Sequence, residues 1–140
     1  MPIDYKKYPK NWFSEIRPAI LERSQNKCEF CGVKNYAYIF RGKLNDGREV
    51  YQTPVGNIYD AANSEFIEQN YFAEISATGK ETAIKVVLTI AHLDHDVANN
   101  DYGNLRALCQ RCHNRHDVEY RRENRLKKQT AELKKLAEKV

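Results

Sequence analysis

Apolar residues recur at helical spacing near the start of the chain. Ser14 is a good cap, Pro18 is tolerated in a first turn, and Ile16, Ile20 and Leu21 would share one buried face. A helix is therefore expected from about Ser14 to Asn26. Residues 1–11 read as an irregular arm carrying Tyr5, Tyr8 and three lysines. The period then changes. YAYIFRG and REVYQT flank LNDG, which signals a hairpin, whereas Thr53 to Ser64 is polar, holds Pro54 and Gly56, and is expected to be a loop. NYFAEISA and TAIKVVLTIA would form two more strands around TGKE, and VVLTI is apolar enough to be a buried strand. HLDHDVANNDYGN is rich in Asp and Asn and reads as a loop. From Leu105 onward the chain has no Pro or Gly, and the run beginning LRALCQRC is helix-forming for nearly all of its length.

These elements predict an α+β fold in one domain, residues 1–140: an N-terminal helix, a central antiparallel β layer and a long C-terminal helix. An apolar share of 41% supports only a modest core for 140 residues, and such domains often need a staple. No stretch approaches the roughly 20 apolar residues of a membrane span, and the N-terminus lacks the apolar run of a signal peptide. The expected setting is intracellular, without a membrane partner. In a reducing compartment four cysteines read as metal ligands rather than disulfides.

Cys28 and Cys31 form one CxxC pair and Cys109 and Cys112 another, so four soft thiolates are available for one tetrahedral zinc ion. Gly32 follows the first pair, where a knuckle needs a residue free to turn. With 77 residues between Cys31 and Cys109, the ion would close a long loop, joining the N-terminal helix region to the start of the C-terminal helix. A filled shell of four cysteines leaves no open position, so this zinc is expected to be structural.

Charge adds a second theme. Residues 111–140 hold ten Lys or Arg and five Asp or Glu, a net of +5 that exceeds the +4 of the whole chain. The segment is either a solvated helix face or an arm that binds phosphates. All four histidines, His92, His95, His113 and His116, fall within 25 residues, interleaved with Asp94, Asp96 and Asn104 and followed directly by Asp117. Such a cluster beside a zinc knuckle is not easily explained as structural.

VVLTIAHLDHD followed by NLRALCQRCHNRHD, with CEFCG upstream, resembles the HNH endonuclease family. The resemblance covers about residues 86–118 and the knuckle at 28–31. It implies a ββα-metal module at 86–120, preceded by a helix and first knuckle (12–32) and a β-rich insertion (33–85), and followed by a basic helix (121–140). It also implies a cytoplasmic enzyme of a bacterial or phage-infected cell that hydrolyses double-stranded DNA with one divalent cation, Mg²⁺ or Mn²⁺. His92 would then be the general base, Asn104 the residue fixing the loop, and His113 a ligand of the ion. Asp117 lies one helical turn from His113, with His116 close by, and either could reach the same ion. Arg111, Arg115, Arg121, Arg122 and Arg125 would lie along phosphates, with little base reading.

The chain departs from the commoner pattern at Ala91, where many members carry a metal ligand. Asp94 or His95 would supply the missing ligand, or else the register shifts and Asp94 and His95 become the ligand and base pair. The 12 residues from His92 to Asn104 fit the family's spacing better than the 9 from His95, so the resemblance favours His92. The insertion either extends the DNA surface or is scaffold. Leu126, Leu133, Leu136 and Val140 are spaced as a short coiled-coil seam for a homodimer, or as a face packed on the domain. Two rival readings stand beside the nuclease: a non-catalytic zinc module that only binds nucleic acid, and an interaction protein that presents the β layer.

Overall fold

The structure, a computed structural model, describes residues 5–70, 76–77 and 83–139. The fold is mixed α+β. Among the described residues the strands are β1 (Tyr38–Lys43), β2 (Glu49–Gln52), β3 (Asn57–Asp60), β4 (Phe66–Gln69), β5 (Ser76–Ala77), β6 (Ile84–Lys85), β7 (Thr89–His92) and β8 (Leu105–Leu108). Two α-helices, α1 (Arg17–Arg23) and α2 (Gln110–Glu138), lie near the two ends.

The first helix starts earlier than expected, with a π-helical turn at Trp12–Ile16 that runs into α1. Pro18 sits in the first turn of α1, where its missing N–H costs nothing. Trp12, Ile16 and Ile20 are buried, and Leu21 packs on the same core. The irregular arm is more ordered than its sequence suggests. Tyr5–Lys7 forms a 3-10 turn, and Tyr8 packs edge-on against Trp12 with ring centroids 4.7 Å apart.

The antiparallel sheet has the order β4-β3-β2-β1-β5, with β6 also paired to β1. The β1–β2 hairpin lies where LNDG predicts it, and Gly47 takes φ of 88° in its turn. Residues 53–64 are not one loop. Ile58 is fully buried and its strand β3 pairs with both β2 and β4, so one apolar residue anchors a strand in an otherwise polar segment.

TAIKVVLTIA is likewise not one strand. Ile84–Lys85 pairs with β1, and Thr89–His92 pairs with β8 in a separate two-stranded sheet. Between them the chain changes sheets, held by the Tyr36 and Val86 backbone N–H groups and by the Leu88 N–H, which donates to Asn35 Oδ1 at 3.0 Å. Of the expected strand pair around TGKE, residues 71–75 and 78–82 lie outside the described residues.

LRAL is strand rather than helix. Leu105, Ala107 and Leu108 are buried against β7, and the burial available there outweighs the helix propensity of Leu, Arg and Ala. Helix α2 begins only at Gln110. Its first turns pack on β7 and β8, but Leu126, Leu133 and Leu136 are 52%, 66% and 60% exposed, so this seam is not packed on the domain. Val140 lies outside the described residues. Among the described residues no helix is long and apolar enough to cross a membrane.

Two arginines expected on phosphates also make contacts within the fold. Arg111 donates to Glu49 of β2 at 2.6 Å and to the Ala61 carbonyl at 3.2 Å, and Arg115 reaches the same Glu49 carboxylate. The Arg111 guanidinium beside Glu49 holds that carboxyl below its ordinary range. Glu49→Ala should cost about 1–3 kcal/mol, because it strips the carboxylate from an arginine whose side chain is only 15% exposed. Arg115→Ala should cost less than about 1 kcal/mol, since that side chain is 60% exposed. Denaturant melts of the two variants check the order; equal losses would contradict it.

Candidate functional site

Cys28, Cys31, Cys109 and Cys112 are buried, and their sulfurs all lie within 4.8 Å of one another. The first pair sits on a tight turn, where Gly32 takes φ of 81° and donates its N–H to the Cys28 carbonyl at 2.8 Å. The second pair opens α2: Cys109 is the N-cap, and its sulfur accepts the Cys112 N–H at 3.5 Å. Cys31 Sγ and Cys109 Sγ are 3.7 Å apart. The edge of a tetrahedron of sulfurs around zinc, at a Zn–S length of about 2.3 Å, is about 3.8 Å. Number, donor type, burial and spacing therefore fit, and the four cysteines could hold a structural metal such as zinc. As thiols they share protons unequally. The Cys109 thiol is held below its ordinary range by accepting from Cys112, whereas Cys112 is raised by donating to it.

A second cluster lies between the β7–β8 connection and α2. The ligand atoms of His95, His116 and Asp117 lie within 4.8 Å of one another. Asp117 bridges two rings: Oδ1 is 3.2 Å from His95 Nε2, and Oδ2 is 3.3 Å from His113 Nε2. His95 reaches this position with φ of 60°, a left-handed conformation that costs a non-glycine residue about 1–2 kcal/mol. Its ring stacks on Tyr120 at 3.9 Å and on His116 at 4.7 Å. His116 Nε2 donates to the Leu93 carbonyl at 3.0 Å, which leaves Nδ1 of the neutral ring as its lone-pair atom. Thr89 Oγ1 lies 2.6 Å from His113 Nδ1 and orients that ring from β7. Burial lowers the His113 pKa, favouring the neutral imidazole that a metal needs.

The remaining site residues fall elsewhere. His92 ends β7 and is buried between Trp12, stacked at 5.3 Å, and Tyr8, edge-on at 5.6 Å. Its Nε2 is 2.9 Å from Asn100 Oδ1. The Asn100 amide is oriented by donating Nδ2 to the Val97 carbonyl at 3.1 Å, so the His92 Nε2 donates and Nδ1 keeps the lone pair.

No protein-family model, curated protein or solved structure matches the chain.

Asp94 does not join the cluster. Its carboxylate accepts from the Asp96 N–H and from the side-chain amides of Asn99 and Asn104, the last two at 2.8 and 2.9 Å. The Asn99 amide first, then the Asp96 N–H and the Asn104 amide, hold its pKa down to about 2. Asn104 closes the same loop: Nδ2 also donates to the Asn99 carbonyl, and Oδ1 accepts the Asp94 N–H at 3.2 Å. A cleft of about 620 Å³ connects the parts, lined among others by Lys7, Tyr8, His92, His113, Asp117 and Arg121. Arg122 and Arg125 lie farther along the exposed helix. Lys7, Trp12, Thr89, Asn100 and Tyr120 were not expected here. Trp12, the one tryptophan, and Thr89, a lone hydroxyl inside VVLTI, are the two that the sequence marks out.

Proposed function

We propose that the chain is a metal-dependent endonuclease of HNH type, hydrolysing DNA phosphodiesters with low sequence specificity. The observation that carries this reading is Asp117 set between His95 and His113 in a cleft that also reaches His92 and Arg121. In it β7, β8 and α2 form a ββα-metal module, and the four cysteines hold one structural zinc ion.

His113, Asp117 and His95 would hold a divalent ion such as Mg²⁺ or Mn²⁺, with Nδ1 of His116 as a further donor. When bound, that ion supplies positive charge against the scissile phosphate and the leaving oxygen. His92 Nδ1 takes the proton from a water molecule, the water oxygen attacks phosphorus, and the bond from phosphorus to the 3′ oxygen breaks. Trp12, Tyr8 and Asn100 fix the plane and tautomer of His92. Asn104 and Asp94 act on the loop, holding His95 in its left-handed turn. Of the five arginines, Arg121, Arg122 and Arg125 on the exposed part of α2 carry the main phosphate contacts, because Arg111 and Arg115 are paired with Glu49.

Supercoiled plasmid incubated with Mg²⁺, Mn²⁺ or EDTA tests the activity. Nicked or linear DNA should form only with metal, and intact plasmid in every lane would refute the reading. Replacing Arg121, Arg122 and Arg125 with Ala should weaken binding to all sequences alike. The slope of log affinity against log salt should flatten by about 0.9 for each lost contact. An unchanged slope would leave these residues as a solvated face.

One observation favours the rival, a zinc module that binds nucleic acid without cutting it: His92 is only 7% exposed. Retarded but uncut DNA in the same assay would select that rival.

A further inference from the structure

We infer that Arg41 is the counter-charge of the four-cysteine metal centre, delivered to it by the β layer. Arg41 lies on β1, where it pairs with Tyr51 of β2. Its Nη2 is 3.8 Å from Cys109 Sγ, and its guanidinium carbon lies 6.0 Å from the centre of the Tyr51 ring. Its Nη1 is buried and has no hydrogen-bond partner. Among the described residues no carboxylate pairs with Arg41. Arg111 also lies within electrostatic reach of Cys112 and Cys31, but its hydrogen bonds go to Glu49 and the Ala61 carbonyl, whereas Arg41 turns an N–H to sulfur.

A partly buried guanidinium with one nitrogen cut off from solvent and no carboxylate beside it is costly, and it persists where something compensates its charge. Four thiolates around a divalent ion carry two net negative charges, and they are buried too. Each solves the other's problem. The rigid N–H fork of arginine can donate to sulfur while its charge acts on the whole cluster, and lysine lacks that fork. A second link ties the same layer to the knuckle: Tyr51 Oη donates to Ser64 Oγ, which donates to the Cys31 carbonyl, both at 2.6 Å. The insertion thus completes the surroundings of the metal as well as spacing its two knuckles. Partners beyond the direct ligands orient them and tune the metal, and losing one typically costs about 10- to 100-fold in affinity.

This rests on the reading that the four cysteines hold a metal, and cobalt separates the two claims. The full-length protein is loaded with Co²⁺, and its sulfur-to-cobalt charge-transfer band is recorded for wild type, Arg41→Met and Arg41→Lys. Wild type should show the intense band of a tetrathiolate. Arg41→Met should move it to longer wavelength, because sulfur electrons lose a stabilising cation, and Arg41→Lys should fall between. Chelator competition should show Arg41→Met binding zinc about 10- to 100-fold more weakly. A merely packing role would lower stability and leave the band where it is. If wild type takes up no cobalt, the metal reading falls and this inference with it. If wild type binds and the variants match it in band and affinity, the inference alone falls. Should neither variant fold, wild type loaded with NMR-active cadmium decides: coupling between the metal and an Arg41 side-chain proton supports the contact, and its absence overturns it.

Discussion

Cys109→Ser is expected to yield a chain that retains no zinc and loses its cooperative melting transition. Serine is also a favoured N-cap, so the start of α2 keeps its acceptor and the loss reports the metal rather than the helix end. Magnitudes support so large an effect. A structural zinc contributes an apparent ~10–16 kcal/mol in small metal-folded peptides, whereas a whole domain is typically stable by ~5–15 kcal/mol. Cys28→Ser should behave alike, although it breaks the other knuckle. Elemental analysis of wild type should find one zinc per chain, resistant to mild chelation, and far-UV melting should follow its removal. A metal-free chain with an unchanged melting curve would refute the structural zinc.

The second large effect concerns cleavage. His92→Ala should lose about 10²- to 10⁴-fold in rate while keeping its zinc and its affinity for DNA, because a general base acts mainly in the transition state. The substitution also removes a ring packed on Trp12, so a melting curve must accompany the rate. His113→Ala should lose as much, but by weakening the hold on the divalent ion, and raised Mn²⁺ should restore part of it. His95→Ala separates the two registers. With His92 as base, His95→Ala keeps some activity, since Asp117 and His113 still share the ion. The opposite pattern, His95→Ala dead at every metal concentration and His92→Ala rescued by metal, would make His95 the base. Asp94→Asn should act through the loop rather than the ion, because its carboxylate is already taken by Asp96, Asn99 and Asn104. Added metal should not rescue it.

The candidate site residues were legible because their types are rare and their spacing is local. Two CxxC pairs and four histidines announce themselves. The structure gathers the four cysteines, and it gathers His95, His113 and His116 around Asp117 while setting His92 apart. The hairpin at LNDG was legible for the same reason, since turn chemistry is short-range. What escaped depends on distant partners. LRAL has helix-forming residues, and it becomes a strand only because Thr89–His92 lies beside it. Ile58 is one apolar residue in a polar stretch, and its burial depends on neighbours on either side of β3. Asp94 resembled a metal ligand, but its carboxylate is taken up by the Asn99 and Asn104 amides of its own loop. Arg41 and Arg111 look alike in sequence, and only the fold shows that one meets a carboxylate and the other a sulfur.

The long gap between the two knuckles sets a timetable for synthesis. Ribosomes add about 5–20 residues per second, so the 77 residues between Cys31 and Cys109 take about 4–15 s. For that interval the first knuckle can offer a metal only two thiolates. A metal centre built from all four would stay half-made while the whole β layer is translated. If the four cysteines hold a metal, the tetrathiolate can close only after β8 has been made and α2 has begun, so folding by metal comes late.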